Sequence, residues 1–428
     1  MELKRVVVTG LGAITPLGLD VASTWDNALK GVSGAGPITH FDSTLFKTHF
    51  ACEVKGFDPA NYLLDPNDRR ELKDVKRTDL YTQYALAAAK QAVDDSRLLE
   101  NAQVDRDEIG VIFASGIGGL HTFEEQAGFY ACHPEQGPKY SPFFIPTMIA
   151  DIAAGHISMQ YGLRGPNFGV VSACATSTNA MIDAFNYVRL GMATAIVTGG
   201  SEAPIYPAGV GGFNAMHAIS TRNDSPETAS RPFSASRDGF VIGEGAVCLI
   251  FEELEHAIAR GATIYGEILG GGMSGDAHHI TAPHPEGLGA KLVMTRALKD
   301  AGLQPEQVDY INVHGTSTPL GDIGEAKAIA DVFQEHAYKL NISSTKSMTG
   351  HMLGATGAME ALFCLLACRD NVVPPTINHE DGDNDEQLDY RMNFTFNKAQ
   401  QRQVDIALSN TFGFGGHNAS IIVGKYKS

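Results

Sequence analysis

Three short stretches place reactive side chains among small residues. VVSACATSTNA (170–180) carries Cys174, NVHGTSTPLGD (312–322) carries His314, and STKSMTGHMLGATG (344–357) carries Lys346 and His351. A cysteine, two histidines and a lysine on Gly/Ser/Thr turns form the set expected for acyl transfer through a thioester. Cys174 stands where an apolar run passes into a helical stretch starting near Ala175. A helix N-terminus carries partial positive charge and unpaired N–H groups, which favour thiolate and bind a developing oxyanion. A cysteine without such company is more often a small core residue, and Cys132, Cys248, Cys364 and Cys368 are assigned to that class.

The elements that must position these turns are readable as alternating apolar β-rich runs and amphipathic helical stretches, the pattern of layered α/β architecture. A first set of strand candidates covers 5–10, 109–116, 168–173, 194–200 and 245–253. A second set covers 265–275, 308–315, 339–346, 405–413 and 419–424. The sets match in order. NFGVVSACATSTNAMIDAFNYVRLG and LNISSTKSMTGHMLGATGAMEALFCLLAC both read strand, small-residue turn, helix, and IGVIFASGIGG parallels INVHGTSTPLG. Two duplicated halves, 1–258 with the cysteine and 259–428 with the two histidines, would bring one turn from each to a shared cleft.

At 428 residues with 43% hydrophobic content and 46 glycines, the chain is expected to be globular with a large core. A formal charge of -17 argues against a nucleic-acid binder. The six cysteines show no C-x-x-C pair, which points to reduced thiols in a cytoplasmic protein, and the opening MELKRVVVTGLG is too short in apolar length for a signal peptide. No run reaches the eighteen or so apolar residues of a membrane span. DAHHITAPH (276–284) has the look of a metal cluster, and DGDNDEQLDYRM (381–392) starts like a calcium loop but has Glu386 where glycine is needed and Met392 where glutamate is needed. Neither is assigned a metal.

VVSACATST, HGTSTPLGD, STKSMTGHMLGATGAME and NTFGFGGHN, in that order and at these separations, resemble the β-ketoacyl-[acyl carrier protein] synthases, most closely the elongating synthase II type. The resemblance runs from VVVTGLGAITPLG to ASIIVGKY. It implies a thiolase-like, five-layered αβαβα fold with two duplicated halves, working as a homodimer in type II fatty acid synthesis. It implies Cys174 as acyl-accepting nucleophile, with the N–H groups of Cys174 and Phe414 as oxyanion hole. His314 and His351 would hold the malonyl thioester carbonyl during decarboxylation, and Lys346, paired with Glu360, would set the surrounding field. Ile117 and Phe213 would line the acyl pocket, and Thr281, Thr318, Phe412 and Phe414 the pantetheine and malonyl tunnel. Neither a redox cofactor nor ATP is required.

The partner implied is an acidic acyl carrier protein, docking on Lys73, Lys76 and Arg77 of DRRELKDVKRTDL (68–80) with help from Lys139; an ordinary solvated helix face is the competing reading. His217 and His417 depart from relatives that often carry arginine and threonine there. A thiolase would be expected to add a second cysteine near the C-terminus, where the last one here is Cys368, and a synthase III would carry asparagine in place of His351. A chain-length partner would lack Cys174, and a cysteine hydrolase would need neither Lys346 nor a second histidine. A free-standing polyketide ketosynthase fits nearly as well.

Overall fold

A computed structural model describes residues 3–100 and 104–427. In the first half lie β1 (Val6–Ile14), β2 (Ile109–Ala114), β3 (Asn167–Phe168), β4 (Ala195–Glu202) and β5 (Gly245–Glu253). In the second lie β6 (Gly266–Gly275), β7 (Tyr310–Asn312), β8 (Asn341–Ser343), β9 (Ile406–Gly413) and β10 (His417–Gly424). The first five are ordered β3-β2-β4-β5-β1 and the second five β8-β7-β9-β10-β6. Adding five to each number converts one order into the other. The directions match as well: β3–β2–β4 run parallel and β4–β5–β1 antiparallel, as do β8–β7–β9 and β9–β10–β6. The two sheets meet edge to edge through Val6–Val8 of β1 and Gly266–Ile268 of β6.

The helices that matter here are α1 (Leu80–Ser96), α2 (Leu120–Cys132), α3 (Ile152–Tyr161), α4 (Thr176–Arg189), α5 (Leu288–Ala301), α6 (Pro319–Phe333) and α7 (Thr356–Asp370). One core lies between the first sheet and α1 with α3, and another between the second sheet and α5 with α6. The largest lies between the sheets, around α4 and α7. These are five layers, αβαβα. Every residue of α7 from Thr356 to Cys368 is buried, in keeping with a sequence that is apolar on every face apart from Glu360. Close approach of outer helix to sheet depends on glycine at matching places. A Cβ on Gly12 of β1 would stand 2.0 Å from the Ala88 carbonyl oxygen of α1, and one on Gly272 of β6 would stand 2.3 Å from that of Val293 in α5.

Four expectations about strands and burial need correction. The strand foreseen at 168–173 ends at Phe168, because the Ser172 N–H turns to Thr176 Oγ1 at 2.8 Å instead of to a sheet neighbour. Those foreseen at 308–315 and 339–346 shrink to β7 and β8, since the chain leaves the sheet to form the histidine and lysine turns. Cys132 is exposed at the C-terminal end of α2 and is no core residue, whereas Cys248, Cys364 and Cys368 are buried as expected. All six thiols are free. Among the described residues no helix is long and apolar enough to cross a membrane.

Candidate active site

The two central helices begin at the same place. α4 is preceded by a tight turn at Ala173–Ala175 and α7 by one at Leu353–Ala355, and each turn opens on a non-glycine residue with positive φ, Ala173 at 51° and Leu353 at 44°. Such backbone conformations are costly and persist where the surroundings impose them. The first turn presents Cys174. The second follows His351, and the end of β7 supplies His314.

His351 Nε2 lies 3.0 Å from Cys174 Sγ, and its Nδ1 lies 2.9 Å from Thr356 Oγ1 at the start of α7. A hydroxyl can give or take a hydrogen bond, so Thr356 supports either imidazole tautomer. The His314 ring stands edge-on to that of His351, with centroids 5.3 Å apart. His314 Nδ1 is buried without a protein partner, a cost that a bound polar group would relieve. Lys346 is buried against Glu360 in an ion pair behind the histidines. Thiol and imidazole atoms of Cys174, His314 and His351 lie within 4.8 Å of one another, the one such trio among the described residues. The histidines of 276–284 form no such group: His279 Nδ1 and His284 Nδ1 instead accept backbone N–H groups of their own loop.

Charge in this cluster is set by burial first. Burial holds both His314 and His351 well below the ordinary histidine range, and the Lys346 ammonium pushes them the same way, so both rings are neutral at pH 7. Burial pushes the Cys174 thiol up to about 12, against the pull of the Lys346 ammonium and of hydrogen bonds from the Phe414 and Cys174 N–H groups. The N–H groups expected to favour the thiolate are present, and burial opposes them. Burial likewise pushes the Glu360 and Glu325 carboxyls up, and Lys346 opposes the push on both.

A cavity of about 660 Å³ opens onto these groups, and Cys174, His314 and His351 line it. So do Ile117, Phe213, Thr281, Thr318, Phe412 and Phe414. Phe213 packs edge-on against Phe240 at 5.3 Å, and Phe240 against His351 at 5.1 Å, a run of rings from the apolar end to the imidazole. Exposed His217 also borders the cavity. Lys73, Lys76, Arg77 and Lys139 are exposed and lie outside its wall, with Arg77 facing Asp74 at 3.4 Å.

The sequence reading passed over Thr356, Glu325 and Glu202. Glu325 accepts the N–H groups of His314 and Gly315 at 3.0 and 2.8 Å. Glu202 accepts four hydrogen bonds from two turns. A signal existed in the form of carboxylates inside otherwise apolar or glycine-rich segments, TGGSE and GDIGEAKAIA.

A thiol, a hydrogen-bonded neutral imidazole and paired N–H donors on the wall of an apolar cavity, on a duplicated αβαβα scaffold, are the groups that thiol-centred acyl transfer requires. The descriptions "Beta-ketoacyl synthase, N-terminal domain" and "Beta-ketoacyl synthase, C-terminal domain" match residues 3–257 and 265–380. The chain belongs to the β-ketoacyl synthase family. It is 49% identical over 426 residues, 99% of each chain, to the 3-oxoacyl-[acyl-carrier-protein] synthase 2 of Coxiella burnetii. It is 48% identical over 429 residues, again 99% of each chain, to the protein of that name in Staphylococcus aureus strain COL. Among solved structures, a β-ketoacyl synthase from Burkholderia phymatum superposes with a TM-score of 0.89 at 33% identity, over 99% of this chain and 100% of that one. A type II polyketide ketosynthase, solved in complex with its acyl-carrier protein, superposes with a TM-score of 0.85 at 31% identity, over 99% of this chain and 100% of that one.

Proposed function

We propose that this enzyme elongates acyl chains in type II fatty acid synthesis, joining an acyl group to malonyl units carried on acyl carrier protein and releasing 3-oxoacyl-carrier, CO2 and free carrier. The observation that carries the proposal is the 3.0 Å contact of Cys174 Sγ with His351 Nε2 at the wall of the cavity. Cys174 is the nucleophile in this reading. Its sulfur attacks the acyl-carrier thioester while the thiol proton passes to His351 Nε2, and the N–H groups of Cys174 and Phe414 stabilise the tetrahedral oxyanion. The C–S bond to the carrier breaks, and the proton moves on to the departing carrier thiolate. Malonyl-carrier then binds with its thioester carbonyl toward His314 and His351. Loss of CO2 leaves an enolate, which attacks the acyl-cysteine carbonyl and expels the Cys174 thiolate, and one proton from solvent restores the thiol.

The acyl chain extends past Ile117 toward Phe213, and Thr281, Thr318 and Phe412 line the approach used by the pantetheine arm. Lys346 and Glu360 touch neither substrate and act by fixing charge behind the histidines. The carrier docks on the exposed Lys73, Lys76, Arg77 and Lys139 in this reading; that a carrier protein binds at all is supported by the carrier complex solved for the polyketide relative. A homodimer would cover the exposed Phe123, Phe129, Tyr130, Phe143 and Ile145 of α2 and the segment after it. The polyketide reading stands second, because the synthase 2 relatives are 48 to 49% identical while the type II polyketide ketosynthase is 31% identical.

Intact-mass spectrometry after incubation with acyl-carriers of graded length tests the assignment. One acyl group on Cys174, absent in Cys174→Ala, is the expected result. Acylation mapped to Cys132 or Cys364 would overturn it.

A further inference from the structure

Glu202 ends β4, is 1% exposed, and faces the cavity that Cys174 lines. Its Oε1 accepts Ser115 Oγ–H at 2.8 Å and the Ile117 N–H at 3.1 Å. Its Oε2 accepts the Gly116 N–H at 2.8 Å and the Gly354 N–H at 2.9 Å. Three of these donors belong to the turn after β2 that sets Ile117 in the cavity wall. The fourth belongs to the other half of the molecule, in the tight turn between His351 and Thr356. The two turns also touch directly: a Cβ on Gly354 would stand 2.4 Å from the Gly116 nitrogen and 2.5 Å from Glu202 Oε2. Glu325 offers the contrast, because it accepts the His314 and Gly315 N–H groups and Asn410 Nδ2, all within its own half.

We propose that Glu202 is a positioning residue that joins the Ile117 turn to the His351 turn, so that seating an acyl chain and placing the imidazole beside Cys174 become one coupled event. The inference rests on the function proposed above. Hydrogen bonds to an ionised carboxylate are roughly twice as strong as neutral ones, and two oxygens serving four donors leave no slack. A chain that displaces Ile117 therefore moves Gly354 with it, and the Thr356 hydroxyl carries the shift to His351 Nδ1. An amide at this place can accept at only one atom and turns its NH2 toward backbone donors.

The test is a double-mutant cycle of Ile117→Val and Thr356→Val on single-turnover condensation with a long acyl-carrier, run in the wild type and in Glu202→Gln. Neither valine removes a group that bonds Glu202. In the wild type the two substitutions are expected to be non-additive by about fivefold, and in Glu202→Gln by less than about twofold. Ser115→Ala, which removes one of the four bonds, should give an intermediate value and keeps the test decisive if Glu202→Gln fails to fold. Additivity in the wild type overturns the proposal. So does a lowered Tm with unchanged coupling, the mark of a purely structural carboxylate. Failure of the function itself looks different, since no acyl group would then reach Cys174 in the wild type.

Discussion

Alkylation of Cys174 as a function of pH separates two pictures of the resting site. With the thiol pushed up to about 12 and His351 held well below its ordinary range, the neutral pair is favoured over a thiolate–imidazolium pair. At pH 7 burial then leaves far less thiolate than the few per cent carried by an unperturbed cysteine. The thiolate fraction rises tenfold per pH unit and continues to rise until the midpoint. Iodoacetamide labelling, followed by site-resolved mass spectrometry to separate Cys174 from the exposed Cys132, should give a rate for Cys174 that climbs with a slope of one from pH 7 to 10. The slope should show no break in that range. A plateau beginning below about pH 8 would mean a preformed thiolate and would refute the dominance of burial over the N–H groups of Phe414 and Cys174. For the proposed reaction the corollary is that the thiol proton leaves during attack, along the 3.0 Å path to His351, and not beforehand.

Further outcomes follow from the same geometry. His314→Ala should slow malonyl-carrier decarboxylation about 10²-fold or more while leaving acyl loading within about threefold, since the imidazole on Sγ is that of His351; equal losses would contradict this division. Ile117→Phe should hinder loading of long acyl chains and spare short ones, because overpacking costs roughly 1 to 3 kcal/mol; loss at every length together with a lowered Tm would place Ile117 in the ordinary core. Reversing the charges of exposed Lys73, Lys76 and Arg77 should raise KM for acyl-carrier but not for small thioesters, and salt should act alike, since exposed charges are screened beyond about 8 to 10 Å. Unchanged KM in both experiments would return those side chains to a solvated face.

Much of this site was legible because its information is local. Cys174 lies in, and His351 just before, a small-residue turn that feeds a helix, and the matching order of runs and turns pointed to two duplicated halves. What escaped was non-local. The state of the Cys174 thiol depends on how completely the fold removes water, which a helix-start pattern does not report. The shortened strands at 168–173 and 339–346 have good β composition, but Ser172 spends its N–H on Thr176 and Lys346 opens a helical turn that buries its ammonium. Glu202 was missed because its partners lie 85 to 87 residues earlier and 152 residues later in the chain.

The placement of α4 and α7 also decides how the site can breathe. Both helices lie in the core shared by the two sheets, so the halves cannot part along their common cleft without dismantling the largest apolar cluster in the molecule. Amides in such a core exchange with deuterated solvent only through global opening, whereas those in exposed loops exchange through small local excursions. The turns bearing Cys174 and His351 are therefore anchored to the slowest-exchanging scaffold, while Ile280, 73% exposed, and the neighbouring Gly415, whose N–H it accepts at 2.7 Å, stand at the rim. In the proposed reaction, admission of an acyl chain then shifts rim loops, the Ile117 turn and side-chain rotamers within a core that stays intact, on a timescale separate from the unfolding of the protein.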